Sequence, residues 1–213
     1  MLFSILFNGS DNLLINILMF VFVFAALVVA ITFHEFAHAY AADKLGDPTA
    51  RNLGRVSLRP ETHLDTVGTL FLLFTGFGWG KPVPFNPAFL KNPRRDSALI
   101  ALAGPASNLI FAVFLTVIYH LIPANDVLLV VLIKTLVRLT IQYNLVLGIF
   151  NLIPVEPLDG FKIVGGVLPQ GLAFQWFQMR QYGLWILLIL VMTGMTEKIM
   201  IPFLALATTI LGL

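Results

Sequence analysis

The chain of 213 residues is 58% hydrophobic and only 11% charged, with a mean hydropathy of +0.90. An average soluble domain is about a quarter charged, so this composition excludes an ordinary soluble protein and sets most of the surface against lipid or other apolar helices. A formal charge of +2 leaves no basic footprint for nucleic acid, and the lack of cysteine excludes disulfides and thiolate metal sites.

Residues 1–7 are apolar, and Asn8-Gly9-Ser10-Asp11 reads as a turn with Asp11 as a candidate N-cap. A first helix is predicted from about Asn12 to Lys44, ~50 Å long against the ~20 residues needed to span a bilayer. No basic region or small-residue cleavage site precedes it, so it reads as a retained span, not a signal peptide. Late in this apolar run lies His34-Glu35-Phe36-Ala37-His38. Four residues make about one helical turn, which puts both imidazoles on one face within reach of one ion. Neutral imidazole suits Zn²⁺, and Glu35 is placed to activate water as general base. The bland alternative is a chance meeting of polar residues in a buried helix. It is disfavoured because ionisable groups in a span are costly and mark function.

Gly46-Asp47-Pro48 ends the helix, and residues 49–63 are polar and basic. Val67 to Trp79 is apolar but glycine-rich and too short to span. Basic groups flank it on both sides, so it is expected to enter and return as a re-entrant loop or short β-hairpin. Four prolines are expected to keep residues 81–93 extended, with Asp96 or Ser97 capping a helix over roughly 97–122. A turn at Pro123 to Asp126 leads to a helix from about Val127 to Phe150, broken by Asn151-Leu152-Ile153-Pro154-Val155-Glu156-Pro157-Leu158-Asp159-Gly160. Residues 161–181 read as a connector and Tyr182 to Gly194 as a fourth span; Ile199 to Leu213 is short for a full return.

The expected fold is therefore an all-α polytopic membrane protein with about four to five spans plus the re-entrant element. We expect one domain over 1–213, with a catalytic core of about 12–165 and C-terminal helices over about 166–213. With the N-terminus outside, ten of the thirteen Lys and Arg residues fall on the inner face, as the positive-inside bias requires. The same topology brings His34, His38 and Asp159 to a common depth near that face. A catalytic zinc site needs three protein ligands and an open position. Asp159, on a broken helix end, is the best third candidate; a plain helix-terminating Asp is the alternative.

His34-Glu35-x-x-His38, Gly104-Pro105-x-x-Asn108 and Asn151-x-x-Pro154-x-x-Pro157-Leu158-Asp159-Gly160 resemble the three motifs of the site-2 protease family of intramembrane zinc metalloproteases, in order and spacing. The similarity covers roughly residues 25–165. Gly54-Arg55-Val56-Ser57-Leu58, His63-x-Asp65 and Lys81-Pro82-Val83-Pro84 resemble its compact branch, without PDZ-like or CBS-like segments. Glu156 departs from the proline common in the family. The resemblance implies an endopeptidase that cuts transmembrane segments of other membrane proteins. It implies one Zn²⁺ held by His34, His38 and Asp159, water activated by Glu35, and Asn108 and Asn151 positioning substrate or the oxyanion. It also implies a multi-pass protein of a prokaryotic cytoplasmic membrane, with the site toward the cytoplasm. Partners are the lipid bilayer and a transmembrane protein or peptide substrate.

Other residues read more plainly. His63 and Asp65 are candidates for a fourth ligand or a gate, though a polar interfacial loop is the simpler reading. His120 is interfacial, and Trp79, Trp176 and Trp185 are anchors or packing groups. Gly76-x-Gly-x-Gly80 lacks the strand–helix setting of a nucleotide loop. A competing function is an ion transporter using His34, Glu35, His38 and Asp159 as a relay, but no duplicated halves are visible. An inactive relative is opposed by the intact Glu35.

Overall fold

The structure is a computed structural model describing residues 12–75 and 78–213. Helix α1 (Leu13–Lys44) begins at Asn12, whose side chain accepts the Leu14 N–H at 3.0 Å. The cap is therefore Asn12; the expected Asp11 lies outside the described residues. A short helix α2 (Thr49–Asn52) follows, and then α3 (Thr66–Thr75). Next come α4 (Pro93–Leu121), α5 (Leu128–Asn151), α6 (Asp159–Val167), α7 (Gln170–Gln178), α8 (Gly183–Met192) and α9 (Met195–Leu211).

Among the described residues α1, α4 and α5 are each long and apolar enough to cross a membrane. The run from α7 through α9 passes the same test only as a pair bent by 75°. That gives three spans, or four with the bent pair counted as one, against the four to five expected. The bend falls at Gly194, whose φ of +70° suits glycine. This is an all-α integral membrane protein.

Two local expectations change. No strand forms among the described residues, and Thr66 to Thr75 is helical, not a β-hairpin. Asp65 explains the start: its Oδ1 accepts the Gly68 N–H at 2.7 Å, capping α3. The segment still returns on itself, because Leu64 and Gly80 form an antiparallel bridge and the Lys81 N–H donates to His63 O at 2.7 Å. Helix α4 begins at Pro93, four residues before the expected Ser97. Proline suits the first helical position, and Asp96 reaches back to accept the Asn92 N–H at 2.8 Å.

Helix α4 lies at the centre, packed against α1, α5 and α6. A cluster of Ile153, Leu158, Leu187 and Met200 anchors the loop between α5 and α6 against α8 and α9. At the site end, buried Asp47 fastens the turn after α1 to the segment before α4. It accepts Thr49 N–H at 3.0 Å and Asn86 N–H at 2.5 Å. Burial would push its carboxyl upward, but these donors and the Thr49 hydroxyl hold it below the usual carboxylate value.

Candidate metal centre

Helix α1 carries His34 and His38 one turn apart, α4 backs them, and the first residue of α6 is Asp159. One ligand atom from each lies within 4.8 Å of the others, the one such group of His, Asp and Glu among the described residues. His34 Nε2 is 3.0 Å from Asp159 Oδ2, His38 Nε2 is 3.2 Å from the same oxygen, and the two Nε2 atoms are 3.0 Å apart.

Proton placement decides what this cluster can hold. His38 Nδ1 is 2.7 Å from Ile100 O, a carbonyl that can only accept, so Nδ1 bears the proton. His34 Nδ1 is 2.7 Å from Asn108 Oδ1. Asn108 Nδ2 donates to Ala30 O at 2.9 Å and Asn144 Oδ1 at 2.8 Å, which fixes the amide with its oxygen toward His34. His34 Nδ1 is therefore protonated too. With both imidazoles neutral, as a metal ligand requires, the two Nε2 atoms present lone pairs toward a carboxylate oxygen that is buried without a hydrogen-bond partner. Three acceptors crowded together repel one another unless a cation sits among them. The donor set, two imidazole nitrogens and one carboxylate oxygen, fits a zinc-type ion.

Close backbone approach makes the cluster possible. A Cβ on Gly104 would lie 2.5 Å from His38 Nε2 and 2.7 Å from His34 Cε1, so only glycine lets α4 back these rings. Ser107 Oγ, 2.7 Å from Gly104 O and 3.2 Å from Phe33 O, joins α4 to α1 beside them.

Glu35 faces the returning segment: a Cβ on Gly80 would lie 3.3 Å from Glu35 Oε1. Arg55, buried although charged, donates to Pro82 O at 3.1 Å and to Lys81 O, bracing that segment. His63 is fully buried and its Nε2 donates to Ser57 O at 2.6 Å. Burial pulls its imidazole below the usual value, opposed by the Ser57 carbonyl and reinforced by the Arg55 charge. Neither His63 nor Asp65 joins the metal cluster.

Both N–H groups of Asn108, a residue expected to position substrate or the oxyanion, are engaged inward, and its Oδ1 meets His34 Nδ1. Asn151 is the last residue of α5, its Nδ2 donating to Leu147 O at 3.0 Å. Asn144 went unnoticed in the sequence; it is fully buried, and its signal was a lone amide in an apolar span. His120 Nε2 meets Leu211 O at 3.0 Å, far from the site. Trp176 Nε1 donates to Phe161 O at 2.8 Å, while Trp79 and Trp185 are exposed.

Comparison with known proteins agrees with this chemistry. YwhC of Bacillus subtilis, named for a zinc metalloprotease, is 41% identical over 185 residues, covering 84% of this chain and 83% of that protein. Rip2 of Mycobacterium tuberculosis (strain Erdman), named likewise, is 33% identical over 150 residues, or 67% of this chain and 55% of that protein. Rip2 of Mycolicibacterium smegmatis is 28% identical over 181 residues, 82% of this chain and 68% of that protein. No solved structure matches the chain. A family profile described as peptidase family M50 matches residues 22–131, the stretch that holds His34, Glu35, His38 and Asn108. With YwhC similar along most of both chains, this protein belongs to peptidase family M50, the site-2 protease family.

Proposed function

We propose that the chain is a single-domain zinc endopeptidase hydrolysing peptide bonds in or near transmembrane segments of membrane-protein substrates. The observation that carries this reading is the convergence of His34 Nε2, His38 Nε2 and Asp159 Oδ2, with each Nδ1 turned to a carbonyl oxygen. Those three residues hold the ion, which when bound supplies Lewis acidity to water and to the scissile carbonyl. Glu35 takes the proton from the attacking water and returns it to the leaving amine. Asn108 and Ile100 O fix the two imidazole tautomers, and Asn144 fixes Asn108.

A peptide bond within a helix is shielded by its own hydrogen bonds, so the substrate must unwind locally before attack. Asn151, the last residue of α5 before the loop that leads to Asp159, is an amide placed to help hold it. The basic loops at the site end support a cytoplasmic orientation for it, and the bacterial relatives support a prokaryotic cytoplasmic membrane. The decisive experiment pairs metal analysis of the purified protein with cleavage of a reconstituted transmembrane substrate by wild type and Glu35→Gln. Cleavage by the wild type, with zinc retained but cleavage lost in the variant, supports the reading. A zinc-free but active protein overturns it.

A further inference from the structure

A cavity of about 300 Å³ opens among the segment before α4, the start of α4, the loop before α6, α6 itself and the end of α7. Its walls mix aromatic rings, including Phe85, Phe161 and Phe177, with three cations, Arg94, Lys162 and Arg180. Lys162 Nζ lies over the Phe85 ring, 5.8 Å from its centroid. Arg180 is already matched: its Nε donates to Glu156 Oε1 at 3.0 Å. Among the described residues no carboxylate pairs with Arg94 or Lys162. Glu156, the sequence's departure from the family motif, lines the same cavity, and its Oε2 is buried without a hydrogen-bond partner.

We propose that this cavity binds the headgroup of an anionic glycerophospholipid. Its phosphate meets Arg94 and Lys162, two cations with no carboxylate paired to them among the described residues. The lipid source follows from position. Arg94 opens α4 just where that span leaves the apolar region, and the rim continues into Phe174 and Phe177 of α7, 68% and 38% exposed. Exposed rings beside a cationic cavity suit acyl chains entering from the bilayer, and basic pockets between spans at this face are where anionic headgroups bind. Phe161 and Lys162 follow Asp159 on α6, so an occupied cavity braces the turn that presents the third ligand.

Binding is read directly, by native mass spectrometry and fluorescence titration of the full chain in uncharged detergent, and does not depend on peptidase activity. Phosphatidylglycerol, phosphatidylcholine, soluble glycerol phosphate and an acidic peptide are the probes. The test variant is Arg94→Gln/Lys162→Gln. The control is Lys91→Gln/Arg95→Gln, which removes the same charge from the same face outside the cavity. Both must melt cooperatively, and the single Lys162→Gln stands in if the double variant fails to do so. Wild type should bind phosphatidylglycerol in preference to the other three probes. The test variant should lose affinity roughly thirtyfold, from about 1 kcal/mol per cation, while the control changes by less than about threefold. Equal loss in the two variants would mean diffuse attraction and overturn the site. Equal binding of phosphatidylcholine would remove the role of charge. Equal binding of glycerol phosphate or the acidic peptide would remove the lipid.

Discussion

Asn108 Oδ1 sits 2.7 Å from His34 Nδ1, and both N–H groups of the same amide are spent on Ala30 O and Asn144 Oδ1. One amide thus fixes the tautomer of a candidate ligand, and a second amide fixes the first. Partners of this kind hold a ligating imidazole in place, and removing one typically costs 10–100-fold in metal affinity.

Asn108→Ala should therefore weaken zinc binding by roughly 10–100-fold. Asn144→Ala should weaken it less, because Asn108 keeps its bonds to Ala30 and His34. Chelator competition on purified protein measures both. Unchanged affinity in Asn108→Ala would leave the His34 tautomer set by something else.

His34→Ala, His38→Ala and Asp159→Ala should each sharply lower bound zinc, while Glu35→Gln keeps it. Cleavage by Glu35→Gln should fall by about 10²–10⁴, the usual contribution of a general base. Zinc stoichiometry and substrate cleavage, measured on the same preparations, separate the two roles. Full zinc occupancy in Asp159→Ala would take that carboxylate out of the ligand set.

The sequence made local relationships legible and left distant ones hidden. His34 and His38 share a face because of helical spacing, and the three long apolar runs announce α1, α4 and α5. The helical start at Pro93 was hidden because the four prolines read as an extended run, whereas proline at a first helical position costs nothing. Of the two alternatives for the segment around Thr66 to Thr75, the returning path forms and the hairpin does not, because Asp65 supplies a cap that starts a helix. The pairing of Asn108 with Asn144 and the Ile100 carbonyl under His38 join residues 36 and 62 positions apart, which no local pattern encodes. Proline placed at Leu70 or Phe71 should now disrupt α3 alike, without the two-residue alternation of a strand.

Gly104 is a steric requirement of the site. In Gly104→Ala the new methyl would press within 2.5 Å of His38 Nε2, so a ring or the helix must shift. Zinc occupancy should fall markedly while helical content by circular dichroism stays near wild type. Gly171→Ala, where nothing lies within 4 Å of the added carbon, is the control and should bind zinc normally.

His63 makes stability fall on the acidic side. Its imidazole is held below the ordinary value by burial, and the Arg55 charge adds to this. The unfolded chain takes up the proton first as pH falls through about 6.5, so the folded state loses stability from there down to the folded pKa. Melting temperature should drop as pH is lowered through that window, and His63→Gln should flatten the drop. Parallel curves for the two proteins would assign the acid sensitivity to other groups.

Topology can be read with single cysteines in this Cys-free chain. Asp47 with Asn86 and Arg55 with Lys81 join the loops after α1 and before α4, and one cavity brings Phe85 and Arg94 together with Glu156, before α6, and Arg180, after α7. The α4–α5 turn lies at the far ends of two spanning helices. Asn52, Gln178 and Asn125 are exposed, whereas Ala50 is fully buried and would not react, so the first three are the positions to use. Asn52→Cys and Gln178→Cys should label with an impermeant thiol reagent only from the cytoplasmic side, and Asn125→Cys only from the opposite side. Labelling of 52 and 125 from one side would break the three-span arrangement. Agreement of 52 with 178 but on the outer face would keep the fold and invert the protein, against the ten basic residues that favour the inner side.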